Sequence, residues 1–290
     1  MFTNIQYGSA KSNTMDVCNV QRDCAWVIDG SDPLFPTHIS DASSDGEWLV
    51  KELNLYLKQH LLESDHPIGD TVARGLLSIH KQYLQFPGAD KLYDLEMPSA
   101  CCVIIRVRNG WLSYFVMGNC ELLLQDHEGK TQSICDLRLQ ELDARLFEIS
   151  QDLRQTQRMP LIRAQDFVDN LMVENRLRRN MKGGYWVLGE EASVVSQAII
   201  GSVPIQQISH ISLICNGFAQ YFNCRKVVRQ LERYLTSKRT MEFVDFYNSL
   251  LVKKHRNEKL ARYLQETLSG QSTAVFFDVL DARKLDSPVS

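Results

Sequence analysis

The sequence predicts an α+β fold in one domain over residues 1–290, and three observations carry that prediction. First, an apolar run of strand length, Cys24-Ala25-Trp26-Val27-Ile28, stops abruptly at Asp29-Gly30, a pair that marks a turn. Second, two stretches repeat apolar residues at helical spacing: Trp48, Leu49, Leu53, Leu57 and Leu61, then Val72, Leu76, Ile79 and Tyr83. Third, the period changes after Pro98. β-rich runs over residues 100–107 and 111–117 flank Arg108-Asn109-Gly110, which supplies hairpin turn chemistry. Helices and antiparallel hairpins in one chain read as α+β.

Residues 14–30 form one or two strands ending at Asp29-Gly30, and the Pro-, Asp- and Ser-rich residues 31–43 read as a loop. Ser44-Asp45-Gly46-Glu47 has capping-box spacing at the start of the first helix. The second helix runs over 70–86, where Pro87 stops it. Both apolar stripes belong to the core. Beyond the hairpin, Gly118-Asn119-Cys120 makes a tight turn into a strand over 121–124. Helical patterns cover 136–157 and 164–181, and Lys182-Gly183-Gly184 opens a short strand over 185–188. Residues 193–200 are helical or irregular. A buried strand over 211–215 stops at Asn216-Gly217, much as the first strand stops at Asp29-Gly30. Helical patterns fill 218–236, 241–252 and 257–268, and a β-rich run over 272–280 closes the chain.

Composition excludes several classes. With 44% hydrophobic and 23% charged residues, a chain of 290 buries a core without disulfide or metal staples. A net charge of −3 provides no global field for nucleic acid or an anionic membrane surface, so neither is expected as a partner. The basic runs at 176–182 and 253–259 are solvated helix faces. No window approaches the apolar length of a membrane span, and the polar residues 1–13 do not form a signal peptide. The eight cysteines contain no Cys-x-x-Cys pair and lie in or beside strand-like runs. They read as buried free thiols of a cytoplasmic protein.

An Asp at the end of an apolar strand is lifted to a sheet rim. There it either meets a cation or polar ligand or is simply a solvated turn residue. The order of the polar strand ends decides between these. Asp29-Gly30, a hairpin into Gly118-Asn119-Cys120, a helical excursion, then Asn216-Gly217-Phe218 and a closing strand with Thr273 together resemble the metal-dependent protein phosphatases of the PPM (PP2C) class. The likeness spans residues 11–280 and is nearest the bacterial branch. It includes Asp45-Gly46-Glu47-Trp48-Leu49, Met117-Gly118-Asn119-Cys120, Asp136-Leu137-Arg138-Leu139, and the segment from Asn175 through Gly183-Gly184-Tyr185-Trp186-Val187.

The resemblance implies a four-layer α-β-β-α sandwich of two antiparallel sheets. It also implies two Mn²⁺ or Mg²⁺ ions in a cleft at the sheet edges, where a bridging water attacks phosphorus. Hard cations of this kind want oxygen ligands, chiefly carboxylates. On that mapping Asp29 bridges both metals, Gly30 offers its carbonyl, and Asp16 is a further metal ligand whose usual polar neighbour has become Met15. Lys11 stands where the family has a phosphate-binding Arg, a point charge in place of a bidentate fork.

The remaining ligand positions are degenerate. Asn119 and Asn216 replace aspartates, and Gly270-Gln271-Ser272-Thr273 carries no acid where the family closes on Asp-Asn-x-Thr or Asp-Asp-x-Thr. Amide oxygens can coordinate a hard cation but bring no charge, so the loss costs on the order of several kcal/mol of metal binding in a partly desolvated cleft. Asp-to-Asn at two of these places keeps shape and hydrogen bonding while removing charge, as in a cleft kept without its metals.

Three functions follow. One is a pseudophosphatase or regulatory domain that binds a protein, either a kinase or a phosphoprotein, and needs no cofactor. The second is an active, atypical Mn- or Mg-dependent serine/threonine phosphatase acting on phosphomonoesters. The third is a cleft that binds an anionic small ligand through Lys11. Cysteine catalysis fits poorly: the residue six after Cys215 is Tyr221, and six after Cys120 is Asp126, so no Cys-x₅-Arg loop exists. Cys215 and Cys120 read as structural.

Overall fold

A computed structural model of the protein describes residues 2–9, 15–31, 34, 38–215 and 273–279. Ten strands form two antiparallel sheets. One has the order β1 (Phe2–Ser9), β10 (Thr273–Val279), β9 (Ile208–Ile214), β6 (Glu121–Asp126) and β7 (Thr131–Cys135). The other has the order β2 (Val17–Gln21), β3 (Cys24–Gly30), β4 (Ala100–Arg108), β5 (Trp111–Met117) and β8 (Ile199–Pro204). The expected arrangement, two antiparallel sheets flanked by helices, is the one observed.

The alternation of side chains along β3 explains why its sequence is apolar throughout. Cys24, Trp26 and Ile28 point outward into a core shared with α1 (Asp45–His60) and α2 (Ile68–Tyr83). Ala25 and Val27 point inward, where Val103, Ile105, Leu122, Leu124, Ile211, Leu213 and Val275 fill the space between the sheets. Trp26 is fully buried, and its indole N–H donates to Asn54 Oδ1 at 3.1 Å, so the large ring carries no unmet donor. β4 alternates in the same way, with Cys102 and Ile104 facing the helices and Cys101, Val103 and Ile105 facing the other sheet.

The first helix begins as the spacing predicts, with Ser44 Oγ accepting from Glu47 N at 3.1 Å. The return half of the box is shifted by one residue: Glu47 takes the N–H of Ser43 at 3.0 Å and pairs with Lys51 at 2.7 Å. The second helix starts at Ile68, behind Pro67, and ends at Tyr83, three residues short of the predicted boundary. Arg106 fastens the link between these helices to the sheet, donating to the carbonyls of Leu61, Ser64 and His66 at 3.2, 2.8 and 2.7 Å.

The predicted 108–110 turn is the β4–β5 hairpin, with Asn109 at φ 51° and Gly110 at φ 79°, the left-handed pair that a two-residue turn requires. The residues after β7 form α3 (Leu137–Gln155), capped by Asp136, and α4 (Leu161–Arg176), which starts after Pro160 and stops before the predicted 181. These two helices pack on each other through Leu153 and Ala164. Leu139 and Leu142 of α3 lean against the core between the sheets.

Two expectations are corrected. Residues 185–188 form isolated bridges and no strand: Leu188 exchanges hydrogen bonds with Ala100 at 2.9 and 2.8 Å, while the Val187 N–H is taken by Asn180 Oδ1. Residues 193–200 split into a 3₁₀ turn (Ala192–Gln197) and the start of β8, which lines the edge of β5. β1 and β7 are strands that composition hides. The helical patterns read at 218–236, 241–252 and 257–268 lie outside the described residues.

Candidate metal centre

The register of the β2–β3 hairpin pairs Val17 with Ile28, so one step further along Asp16 stands opposite Asp29. Asp29 follows Ala25 and Val27 on the inward face of β3 and sits where that face runs out at the end of the sandwich. On the opposing sheet, Ile211 and Leu213 of β9 point inward, and Cys215, just beyond the strand, continues their alternation. Three separate segments therefore deliver their side chains to one seam between the sheets. A carboxylate oxygen of Asp16, one of Asp29 and the sulfur of Cys215 all lie within 4.8 Å of one another. The Cys215 thiol donates to Asp16 Oδ2 at 3.1 Å. All three residues are buried, at 7%, 8% and 0% exposure.

Two glycines fix the neighbourhood. A Cβ on Gly30 would come within 3.0 Å of the Gly46 carbonyl oxygen, and one on Gly46 within 2.6 Å of the Ser31 carbonyl oxygen. The first turn of α1 is thus laid directly on the backbone after Asp29, which only a glycine pair permits. Gly118 opens the turn that carries the chain from β5 of one sheet to β6 of the other. It has φ 72°, and a Cβ there would fall 2.2 Å from Cys101 Sγ. The next residue, Asn119, is 6% exposed, and its Oδ1 has no hydrogen-bond partner among the described residues. A buried carbonyl oxygen left unpaired is an acceptor held ready at a cost.

Of the sequence-predicted site residues, Asp16 and Asp29 are brought together, Gly30 lies beside them against α1, and Asn119 occupies the turn between the sheets. Lys11, Asn216, Gly270 and Gln271 lie outside the described residues. The donors fit a single divalent ion. Among the described residues one donor cluster exists, and one of its three atoms is sulfur where a hard cation would take oxygen.

Cys120 and Cys102 are not poised as nucleophiles. Burial pushes the Cys120 thiol well above its usual range, and the charges of Asp29 and Asp16 add to the shift, as do Cys101 and Cys102. Burial alone raises Cys102 in the same way. A thiol that resists ionisation does not attack. Cys215 stands at a strand end near the cleft in the sequence reading, where it is structural; the structure adds its convergence with Asp16 and Asp29. The signal available was positional: it continues the inward alternation of Ile211 and Leu213 at a strand end, the same place on β9 that Asp29 has on β3.

No protein-family model matches this chain, and no curated protein sequence matches it. Its fold is nevertheless similar to solved structures. A bacterial serine phosphatase superposes with a TM-score of 0.53 at 13% identity, covering 96% of this chain and 98% of the other. The serine/threonine phosphatase Stp1 of Staphylococcus aureus gives 0.53 at 13% identity, over 97% and 96% of the two chains. The PPM Ser-Thr phosphatase MsPP of Mycobacterium smegmatis gives 0.51 at 11% identity, over 96% and 99%. At such identities the likeness establishes the fold.

Proposed function

We propose that this chain is a PP2C-like domain that has lost most two-metal phosphoester hydrolysis and acts as a pseudophosphatase, a regulatory domain binding a kinase or a phosphoprotein. The observation that carries this reading is the composition of the seam. Where two hard cations would need a ring of carboxylates, the described residues supply two, with a thiol hydrogen-bonded to one of them. A pair of metals supplies a water-derived nucleophile and stabilises charge at phosphorus. Here Asp29 and Asp16 keep a focus of negative charge, and the glycine contacts keep its walls in place. The cleft retains its shape without the full ring of charge that a pair of hard cations would need.

A second reading, an atypical Mn- or Mg-dependent phosphatase for phosphoserine and phosphothreonine, is favoured by one fact: Asp16 and Asp29 still converge. Hydrolysis of an aryl phosphate with millimolar Mn²⁺ or Mg²⁺ decides between them. No turnover above that of Asp29→Asn is expected. Turnover that Asp29→Asn abolishes would establish the second reading and overturn the first. On the first reading, Asn216→Asp combined with Gly270→Asp should restore Mn²⁺ affinity by calorimetry, since both changes return charge where the family carries it.

A further inference from the structure

We infer that the seam between the sheets is a mononuclear site for a thiophilic divalent ion of the zinc class, held by Asp16, Asp29 and the Cys215 thiolate. The geometry carries this first. Three donor atoms from three chain segments lie within 4.8 Å of one another, and one pair, Cys215 Sγ and Asp16 Oδ2, is already at 3.1 Å. Ligand bonds of about 2.3 Å to sulfur and about 2.0–2.2 Å to oxygen put neighbouring donors of a tetrahedral ion about 3–4 Å apart. The cluster needs only a small contraction to meet them.

An independent observation is the buried Asn119 Oδ1. It has no partner among the described residues, and it sits on the turn that bridges the two sheets.

The donor types set the metal. Mg²⁺ and Ca²⁺ take oxygen ligands, whereas a thiolate favours ions toward the zinc end of the first-row series. Binding balances simply: the S–H bond of Cys215 breaks, a sulfur–metal bond forms, the proton passes to solvent, and no electron moves. Three negative ligands around a dication leave one net negative charge, so the ion neutralises most of the charge it meets. The proposal uses the cluster but does not depend on whether hydrolysis has been lost, since one ion can be held with or without turnover.

The test is a titration of the full chain, stripped of metal, with Co²⁺ as a spectroscopic substitute. A sulfur-to-cobalt charge-transfer band should grow to one equivalent, vanish on adding one equivalent of Zn²⁺, and survive excess Mg²⁺. Cys215→Ser should lack the band and bind Zn²⁺ about 100-fold more weakly, as losing a ligand costs at least what losing a supporting contact does. X-ray absorption of the zinc-loaded natural chain needs no variant, and should show one sulfur and otherwise oxygen neighbours. A first shell of oxygen alone, or a charge-transfer band that persists in Cys215→Ser, would overturn the proposal. Phosphatase assays on the same samples report separately on hydrolysis.

Discussion

Asp45 shows how one carboxylate can anchor a helix start. Its two oxygens take the backbone N–H groups of Ile39 and Ser40 at 2.9–3.2 Å and the Tyr83 hydroxyl at 2.8 Å. Burial pushes its carboxyl up, but the hydrogen bonds from Ser40, Tyr83 and Ile39 outweigh burial and hold it below the ordinary range. A carboxyl depressed in the folded state contributes stability that is complete above its unfolded value of about 3.9. That contribution is lost as pH falls through the lower folded value. Tyr83→Phe should therefore cost about 1.5–3 kcal/mol at neutral pH. The gap to the natural chain should close in acid, as read by urea unfolding at successive pH values. Two curves that stay parallel into acid would mean that the phenol does not hold the carboxylate.

At the scale of the element, two positions invite direct measurement. Gly118→Ala would force a left-handed residue into Cys101, so it should destabilise by about 1–3 kcal/mol or more. Ser44→Ala should lose about 1 kcal/mol by removing the cap of α1. Chemical denaturation measures both, and a Gly118→Ala chain as stable as its parent would mean the turn can be rebuilt. The same elements show what sequence can reveal. β3, β4 and β5 were legible because Trp26, Ile104 and Phe115 lie in runs bounded by Asp29-Gly30 and Asn109-Gly110. β1, β7 and β8 were not, because Thr131-Gln132-Ser133 and Gly201-Ser202 bring little apolar signal, and edge strands are defined by their partners. Asp16 and Asp29 were legible as a pair from turn chemistry and resemblance. Cys215 was not, since its meaning comes from a contact with Asp16, 199 residues away. No local window spans that distance.

At the scale of the molecule, the seam matters because its donors belong to different sheets. Asp29 ends β3 in one sheet, and Cys215 follows β9 in the other. An ion held there would tie the layers together, so zinc at 100 times its dissociation constant should stabilise the chain by about 2.7 kcal/mol. Thermal unfolding with and without Zn²⁺ checks this, and Cys215→Ser should respond less. Among the described residues no helix is long and apolar enough to cross a membrane.

One pairing described above also bears on how the protein is made. Among the described residues β1 is an edge strand whose sole sheet neighbour is β10, with Phe2 against Val279 and Ser9 against Thr273. That pairing joins two segments that lie far apart in the sequence. Until the two segments meet, β1 is an unsatisfied hydrogen-bonding edge, and joining segments so distant in sequence is slow. A chain released short of residue 273 should therefore scatter light and pellet where the full chain stays in solution. On this view the solubility of β1 is owed to a partner strand that its own neighbourhood in the sequence does not supply.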